Sequence, residues 1–118
     1  MKVIEKLTLI ESSLKGAKYK GVHFKNCRFK DVTMENCEFK SCRFENCSFR
    51  RTSIYGCMFD ACSIHGGTFR LVDIDTCSIK CSRLREATFI KSDFCRCEIP
   101  AEWLPSLKGV WVVSCEMK

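Results

Sequence analysis

Hydrophobic residues recur at every fifth position through most of this chain, as in the stretch FKNCRFKDVTMENCEFKSCRFENCSF at residues 24–49. The series consists of Phe24, Phe29, Met34, Phe39, Phe44, Phe49, Ile54, Phe59, Ile64, Phe69, Ile74, Ile79, Leu84, Phe89, Phe94 and Ile99. Two positions before each member stands a small or β-branched residue, and the other three positions of each five are mostly charged or polar. Each unit therefore has two residues suited to a core and three suited to solvent.

A period of five fits neither regular secondary structure. In an α-helix a step of five residues moves the hydrophobic side chain about 140° around the axis. In a β-strand five is an odd number, so successive hydrophobic residues would point to opposite faces. A chain that turns a corner every five residues satisfies the pattern, because each short segment then points its pair inward. Such a chain forms a solenoid whose coils stack about 4.8 Å apart through backbone hydrogen bonds.

This pattern resembles the motif of the pentapeptide-repeat family, in which a central Phe or Leu follows Ala, Cys, Ser, Thr or Val by two positions. Sixteen units cover residues 22–101, and weaker units at Ile4, Leu9, Leu14 and Tyr19 extend the series towards the start. The resemblance implies an all-β fold, a right-handed quadrilateral β-helix with four units per coil and about four to five coils. We predict a degenerate N-terminal coil or cap at 1–21, the repeat β-helix at 22–101 and a C-terminal cap at 102–118.

With four units per coil, residues twenty positions apart stack on one another. The expected inward columns are Phe24, Phe44, Ile64 and Leu84; Phe29, Phe49, Phe69 and Phe89; Met34, Ile54, Ile74 and Phe94; and Phe39, Phe59, Ile79 and Ile99. Like residues stack on like residues, as in other in-register ladders.

The eleven cysteines follow the same register. Eight stand two positions before a central hydrophobic residue, and only Cys81, Cys95 and Cys115 lie outside this pattern. We therefore interpret the eight in-register cysteines as buried free thiols, a role that fits the burial of cysteine in proteins. Zinc is not expected, because a column of cysteines on successive coils spreads its sulfurs along a line. Disulfides are not expected either, since the coil spacing exceeds the usual distance between bridged Cβ atoms.

The N-terminal stretch MKVIEKLTLIESSLKG is interrupted by charged residues, which is not typical of a secretory signal. No apolar run approaches the roughly 20 residues of a membrane-spanning helix. Together with the odd number of cysteines, this predicts a cytoplasmic protein, and the family resemblance suggests a bacterial one.

The C-terminus is expected to cap the last coil. Pro100 favours the start of a short helix, Gly109 favours its end, and the segment VWVVSCEM is predicted to form a last short strand. The apolar residues available for the cap are Trp103, Leu104, Leu107, Trp111 and Val113. In several members of the family the C-terminal element also forms a dimer, so the resemblance implies that the same residues could join two molecules. The sequence leaves the two uses open.

Catalytic chemistry is not expected. The two histidines, His23 and His65, fall on one face without a nucleophile to activate, and we interpret both as ordinary surface residues. The acidic residues Glu35, Asp73 and Asp75 fall together with Asp93 on what we call the acidic face, a solvated wall without a cleft. The sequence contains neither a phosphate-binding glycine loop nor a dinucleotide-binding fingerprint. We predict no catalytic residues, no cofactor and no metal, and therefore no enzyme.

Charge gives the strongest functional indication. The face next to the acidic one has six basic residues against Asp31 alone, and we call it the basic face; its basic residues are Arg28, Lys30, Arg50, Arg51, Arg70 and Lys91. Lys30, Arg50 and Arg70 share one column, where stacked like charges cost stability. This cost predicts a negatively charged partner, although a solvated face whose charges are screened by salt is the simpler interpretation.

An acidic protein surface is the leading candidate for that partner. The family resemblance implies a second candidate, bacterial DNA gyrase or topoisomerase IV, which some members bind by imitating DNA. Those mimics are acidic, whereas this chain has a net charge of +6. A nucleic acid or another polyanion is the third candidate, but the aromatic residues point inward and leave mainly Tyr55 for base stacking.

Overall fold

The computed structural model describes residues 2–118, in which twenty-two short strands form four parallel sheets around one core. The first face consists of β1 (Lys2–Glu5), β5 (Val22–Lys25), β9 (Arg43–Glu45), β13 (Ser63–His65) and β17 (Arg83–Arg85). The basic face consists of β2 (Thr8–Ile10), β6 (Arg28–Lys30), β10 (Ser48–Arg50), β14 (Thr68–Arg70) and β18 (Thr88–Ile90).

The other two sheets have six strands each. The acidic face consists of β3 (Ser13–Lys15), β7 (Thr33–Glu35), β11 (Ser53–Tyr55), β15 (Asp73–Asp75), β19 (Asp93–Cys95) and β21 (Trp111–Val113). The fourth face consists of β4 (Lys18–Lys20), β8 (Glu38–Lys40), β12 (Met58–Asp60), β16 (Ser78–Lys80), β20 (Glu98–Ile99) and β22 (Glu116–Met117). The predicted fold class, a quadrilateral β-helix, is confirmed.

The corners between faces have a left-handed backbone. Every fifth residue from Lys6 to Arg96 has a positive φ, with values mostly between 48° and 71°. Glycine and asparagine adopt this conformation readily, whereas other residues, such as Leu71, adopt it at a cost of about 1 kcal/mol. The corner amide then donates a hydrogen bond to the next coil, as from Asn46 to the carbonyl of His65 at 2.9 Å. The period of five is thus the distance between left-handed corners.

Central hydrophobic residues stack on the axis as the sequence predicts. In the column of Phe29, Phe49, Phe69 and Phe89, neighbouring rings are nearly parallel with centroids 4.6–4.7 Å apart. The separation matches the coil spacing, so each ring lies on the ring of the previous coil. Within the described residues these stacks leave narrow apolar cavities along the axis, of about 30 Å³ in the middle and later coils and about 20 Å³ in the first coils.

The small position of each unit also forms hydrogen bonds. Cys47 donates through Sγ to the carbonyl of Phe24 at 3.4 Å, and Thr52 donates through Oγ1 to the carbonyl of Phe29 at the same distance. Both side chains are buried. This position therefore favours cysteine, serine and threonine, because it needs a small side chain that can donate a hydrogen bond. The sequence pattern indicated the small size but not the hydrogen bond.

The number of coils is higher than predicted. We expected about four to five coils, but the sheets have five, five, six and six strands, which makes about six. The four N-terminal strands form a complete first coil in register with the second, as in the pairing of Ile4 with Phe24. At the other end β21 and β22 add half a coil. The weak N-terminal units pair fully because the ladder is formed by backbone groups, which do not depend on the side chains.

A 3₁₀ helix at Ala101–Leu107 follows Pro100, and it lies over β17 in place of a further strand of the first face. Trp103 is buried, and its Nε1 donates to the carbonyl of Ser82 at 3.0 Å. This carbonyl would otherwise lack a partner, because no strand follows β17 on this face. Within the described residues no helix is long and apolar enough to cross a membrane.

Gly67 and Gly16 provide a test of the backbone geometry, since Gly67 is the small position that follows the corner Gly66 whereas Gly16 is itself a corner. At Gly67, with φ 90°, an added Cβ would lie 2.2 Å from the carbonyl oxygen of Cys47, whereas at Gly16, with φ 62°, it would meet nothing within 4 Å. We expect Gly16→Ala to lower the free energy of unfolding by about 1 kcal/mol, the cost of a left-handed residue. We expect Gly67→Ala to lower it by about 3 kcal/mol or more, because backbone must also move. Urea denaturation measures both, and equal losses would contradict the close approach of the two coils.

Candidate functional site

Three exposed cations stack in the centre of the basic face. The Cα atoms of Lys30, Arg50 and Arg70 are in register on β6, β10 and β14. The column is bounded by isoleucine at both ends, since Ile10 pairs with Lys30 and Ile90 pairs with Arg70. Parallel strands lie about 4.8 Å apart, so each charge is close to the next. None of the three forms a salt bridge within residues 2–118.

Arg51 differs from the other residues of the predicted basic face. It lies at the corner between the basic and acidic faces, and its guanidinium donates to both carboxylate oxygens of Asp31, at 2.9 and 3.3 Å. This bidentate pair is the strongest geometry for an arginine and a carboxylate. Arg51 is therefore not a free cation like Arg50, and the twenty-residue spacing of Asp31 and Arg51 in the sequence indicates the pair.

The two remaining predicted residues flank the cation column. Arg28 is exposed and lies in a column otherwise made of the hydroxyl residues Thr8, Ser48, Thr68 and Thr88. Lys91 is also exposed, at the same corner as Arg51. The assignment of the basic face as a partner-binding site remains a prediction.

The acidic face contains two kinds of carboxylate. Glu35 is paired with Lys15 at 3.7 Å, and Asp75 is paired with Arg96 at 2.5 Å. Asp73 and Asp93 stack on neighbouring strands, and neither forms a salt bridge within the described chain. Burial, together with a hydrogen bond and repulsion from Asp73, raises the pKa of Asp93 above its usual value.

Both histidines lie beside carboxylates on the first face. His23 Nε2 is 3.0 Å from Glu45 Oε1, and its side chain is largely buried. His65 Nε2 is 3.4 Å from Glu86 Oε2 and is half exposed. In the part of the chain that the structure describes, no three His, Cys, Asp or Glu side chains are arranged to hold a metal ion. His65 lies at the surface, as expected, but the interpretation of His23 as an ordinary surface residue is wrong, because its side chain is largely buried against Glu45.

The five predicted cap residues divide into two groups. Trp103 and Leu107 are buried over the last coil, whereas Leu104, Trp111 and Val113 are exposed. Trp111 and Val113 are on β21, the last strand of the acidic face, and Trp111 pairs with Asp93. The proposed use of these residues in a cap or dimer contact remains a prediction.

Four in-register parallel sheets around one stacked core, with a corner every five residues, define a solenoid of the β-helix class. The family profile described as Pentapeptide repeats (9 copies) matches residues 13–68. Residues 13–68 are therefore a pentapeptide-repeat segment.

Solved structures of the same kind are similar to this chain. A pentapeptide repeat protein from the thylakoid lumen of Arabidopsis thaliana has a TM-score of 0.60 and 19% identity, over 76% of this chain and 66% of that one. The pentapeptide repeat protein Rfr23 from the cyanobacterium Cyanothece 51142 has a TM-score of 0.43 and 10% identity, over 94% and 84% of the two chains. QnrB1, a plasmid-mediated fluoroquinolone resistance protein, has a TM-score of 0.38 and 15% identity, over 98% and 92%. This chain thus spans just under two thirds of the Arabidopsis protein, and no curated protein matches it.

The stacked aspartates predict a pH dependence of stability. Because the pKa of Asp93 is raised from 3.8 in the folded protein, its contribution to stability is present at low pH and is lost as the pH rises through the folded value. We expect Asp93→Asn to raise the free energy of unfolding at pH 7 by about 0.5 kcal/mol, the usual cost of stacked like charges. Asp60→Asn is the matched control, since Asp60 is stacked between Lys40 and Lys80 and its removal should give no gain. The measurement is urea denaturation at pH 7. A lower free energy of unfolding for Asp93→Asn than for the wild type would contradict repulsion between Asp73 and Asp93.

The cysteines predict a simple pattern of thiol reactivity. Cys81 is exposed, whereas the eight in-register cysteines are buried. Burial raises the pKa of Cys47 to about 12 and that of Cys62 to about 11, so these thiols stay protonated at neutral pH. With an aromatic disulfide reagent we expect one fast thiol in the native protein, lost in Cys81→Ser, and reaction of all eleven after denaturation. If fewer than eleven thiols reacted in denatured protein prepared without reductant, some cysteines would be oxidised, which would contradict the prediction of free thiols.

Proposed function

We propose that the protein is a non-enzymatic recognition scaffold that binds an acidic protein surface through its basic face. The observation that carries this proposal is the column of Lys30, Arg50 and Arg70, three exposed cations held in register, none of which forms a salt bridge among the described residues. Stacked like charges cost stability. A carboxylate-bearing surface would relieve this cost on binding.

The rigidity of the sheet supports this role. The backbone of β6, β10 and β14 is fixed by hydrogen bonds on both sides, so the spacing of the three charges is set before any partner arrives. Preorganised charges lose little backbone entropy on binding. They also accelerate the encounter with a partner of opposite charge.

The direction of the aromatic side chains favours a protein over a nucleic acid. Binding of single strands uses exposed aromatic rings on which bases stack. Most phenylalanines are buried, and Tyr55 and Trp111 are the aromatic residues with large exposure, both on the acidic face. The basic face therefore has cations but no stacking platform. Non-specific binding of a polyanion and modulation of a topoisomerase remain the alternatives to this proposal.

Charge reversal on two opposite faces tests the proposal. Arg50→Glu/Arg70→Glu reverses two stacked cations on the basic face, and Lys20→Glu/Lys40→Glu reverses two stacked cations on the fourth face. We expect affinity capture from nuclease-treated lysate of the source cells to retain one protein partner with the wild type and with the Lys20/Lys40 variant. The Arg50/Arg70 variant should lose at least nine tenths of that partner.

The opposite results are equally clear. Equal capture by all three proteins would exclude the basic face as the binding site. Loss of all captured material on nuclease treatment would assign the face to a polyanion instead, with an affinity that falls steeply with salt.

A further inference from the structure

The basic and acidic faces are adjacent and have unpaired charges of opposite sign at similar heights along the solenoid. The chain passes from the basic face to the acidic face in every coil, as from β14 (Thr68–Arg70) to β15 (Asp73–Asp75). Arg70 on the one and Asp73 on the other belong to the same coil, and neither forms a salt bridge within residues 2–118. Each face alone contains stacked like charges, so each has an electrostatic cost that the other could relieve.

Leu71 lies on the corner shared by these two faces, between Arg70 and the buried Val72. Its φ is 55° and the residue is 39% exposed. A leucine at this position has the cost of a left-handed backbone and of an apolar side chain in water, whereas asparagine occupies other corners such as Asn36 and Asn46 without either cost. The fold of one chain does not explain this residue, but a contact at the corner would.

We propose that four copies of this chain form a closed ring with their solenoid axes parallel, in which the basic face of each copy covers the acidic face of the next. The inference rests on the proposed function, because it identifies the acidic partner of the basic face as a second copy of the chain. The shared corner of the two faces then lies at the centre of the ring, and four Leu71 side chains meet there.

The angle between the faces sets the number of copies. Consecutive faces of a four-sided solenoid are about perpendicular, so a contact between adjacent faces turns each copy by about 90° relative to the last. Such a head-to-tail contact closes after four copies. Contacts between opposite faces, such as the first and the acidic face, would instead extend without closing.

The columns that meet in this ring are complementary. Near the central axis the column of Arg50 and Arg70 faces the column of Ser53 and Asp73 of the neighbouring copy, which pairs Arg70 with Asp73. In the outer columns Arg28 faces Glu35, which also pairs with Lys15 of its own chain. Ser48 faces Tyr55, and Thr68 faces Asp75, which also pairs with Arg96 of its own chain. Glu11, Asp31, Arg51 and Lys91 lie on the same corner as Leu71. Asp31 and Arg51 neutralise each other as a pair, and Glu11 and Lys91 lie towards opposite ends, where they can remain hydrated.

Each copy uses two of its faces in the ring. A side of five residues is at most about 16 Å wide at about 3.3 Å per residue, and about six coils stacked about 4.8 Å apart are about 29 Å tall, so one face covers about 460 Å². The two faces together bury about 900 Å² of each copy, comparable to the roughly 800 Å² per partner of a standard interface.

Sedimentation equilibrium of the purified chain tests the ring. The wild type should have four times the mass of the 13.6 kDa chain at low salt and should dissociate as salt is added, because ion pairs contribute to the contact. Leu71→Asn should give a monomer that unfolds at the same or higher urea concentration, since asparagine suits the left-handed corner. Leu104→Asn is the matched control, because this exposed leucine of the 3₁₀ helix is on neither face and its loss should leave the tetramer intact.

A charge exchange tests the specific pairing. Arg70→Asp and Asp73→Arg should each weaken association at least tenfold, and the double variant Arg70→Asp/Asp73→Arg should recover most of it, because the pair is re-formed with reversed sign. Circular dichroism checks that each variant keeps its sheets.

The outcomes separate this inference from the proposed function. A wild type that stays monomeric at all concentrations, or whose mass grows without a limit, overturns the ring. If such a monomer still captures another protein through Arg50 and Arg70, the proposed function stands without the ring. If neither assembly nor capture depends on the basic face, both fail.

Discussion

The left-handed corner is the constraint on which the rest of the structure depends. Each corner redirects the chain by about a quarter turn, and its amide donates to a carbonyl of the next coil, as from Asn36 to Tyr55 at 2.9 Å. Since a corner follows every five residues, the side chains of each coil lie directly over those of the coil before. The stacked aromatic core and the charged columns of the surface are both consequences of this register.

Most of the fold could be predicted from the sequence because the inward positions repeat without an insertion. The period identified which residues are buried, and the twenty-residue coil identified which residues stack. The first coil was not predicted to be complete because its small positions include Lys2 and Leu7, which depart from the motif. The backbone hydrogen bonds between coils do not require the motif, so the first coil forms nevertheless. The left-handed corners were not predicted, although Asn26, Asn36, Asn46 and Gly56 indicate them.

The candidate site was less predictable because surface chemistry depends on neighbours as well as on register. The register of the sequence places the cations on or beside one face. It does not show that Arg51 forms a salt bridge with Asp31 whereas Arg50 does not. Nor did it distinguish the buried Trp103 from the exposed Trp111, since both belong to a segment outside the repeat. Where the repeat ends, side-chain placement depends on tertiary packing, which periodicity does not encode.

The in-register stacking of Phe49 on Phe69, and of Arg50 on Arg70, has a consequence for how such a chain can change in length. Loss of a single residue would shift every later side chain by one place and would move core residues to the surface. Duplication of twenty residues would leave every face as it is and would extend the rod by about 4.8 Å. The length of such a solenoid can therefore change only in whole coils, and each added coil keeps the pattern of charged and apolar residues on every face.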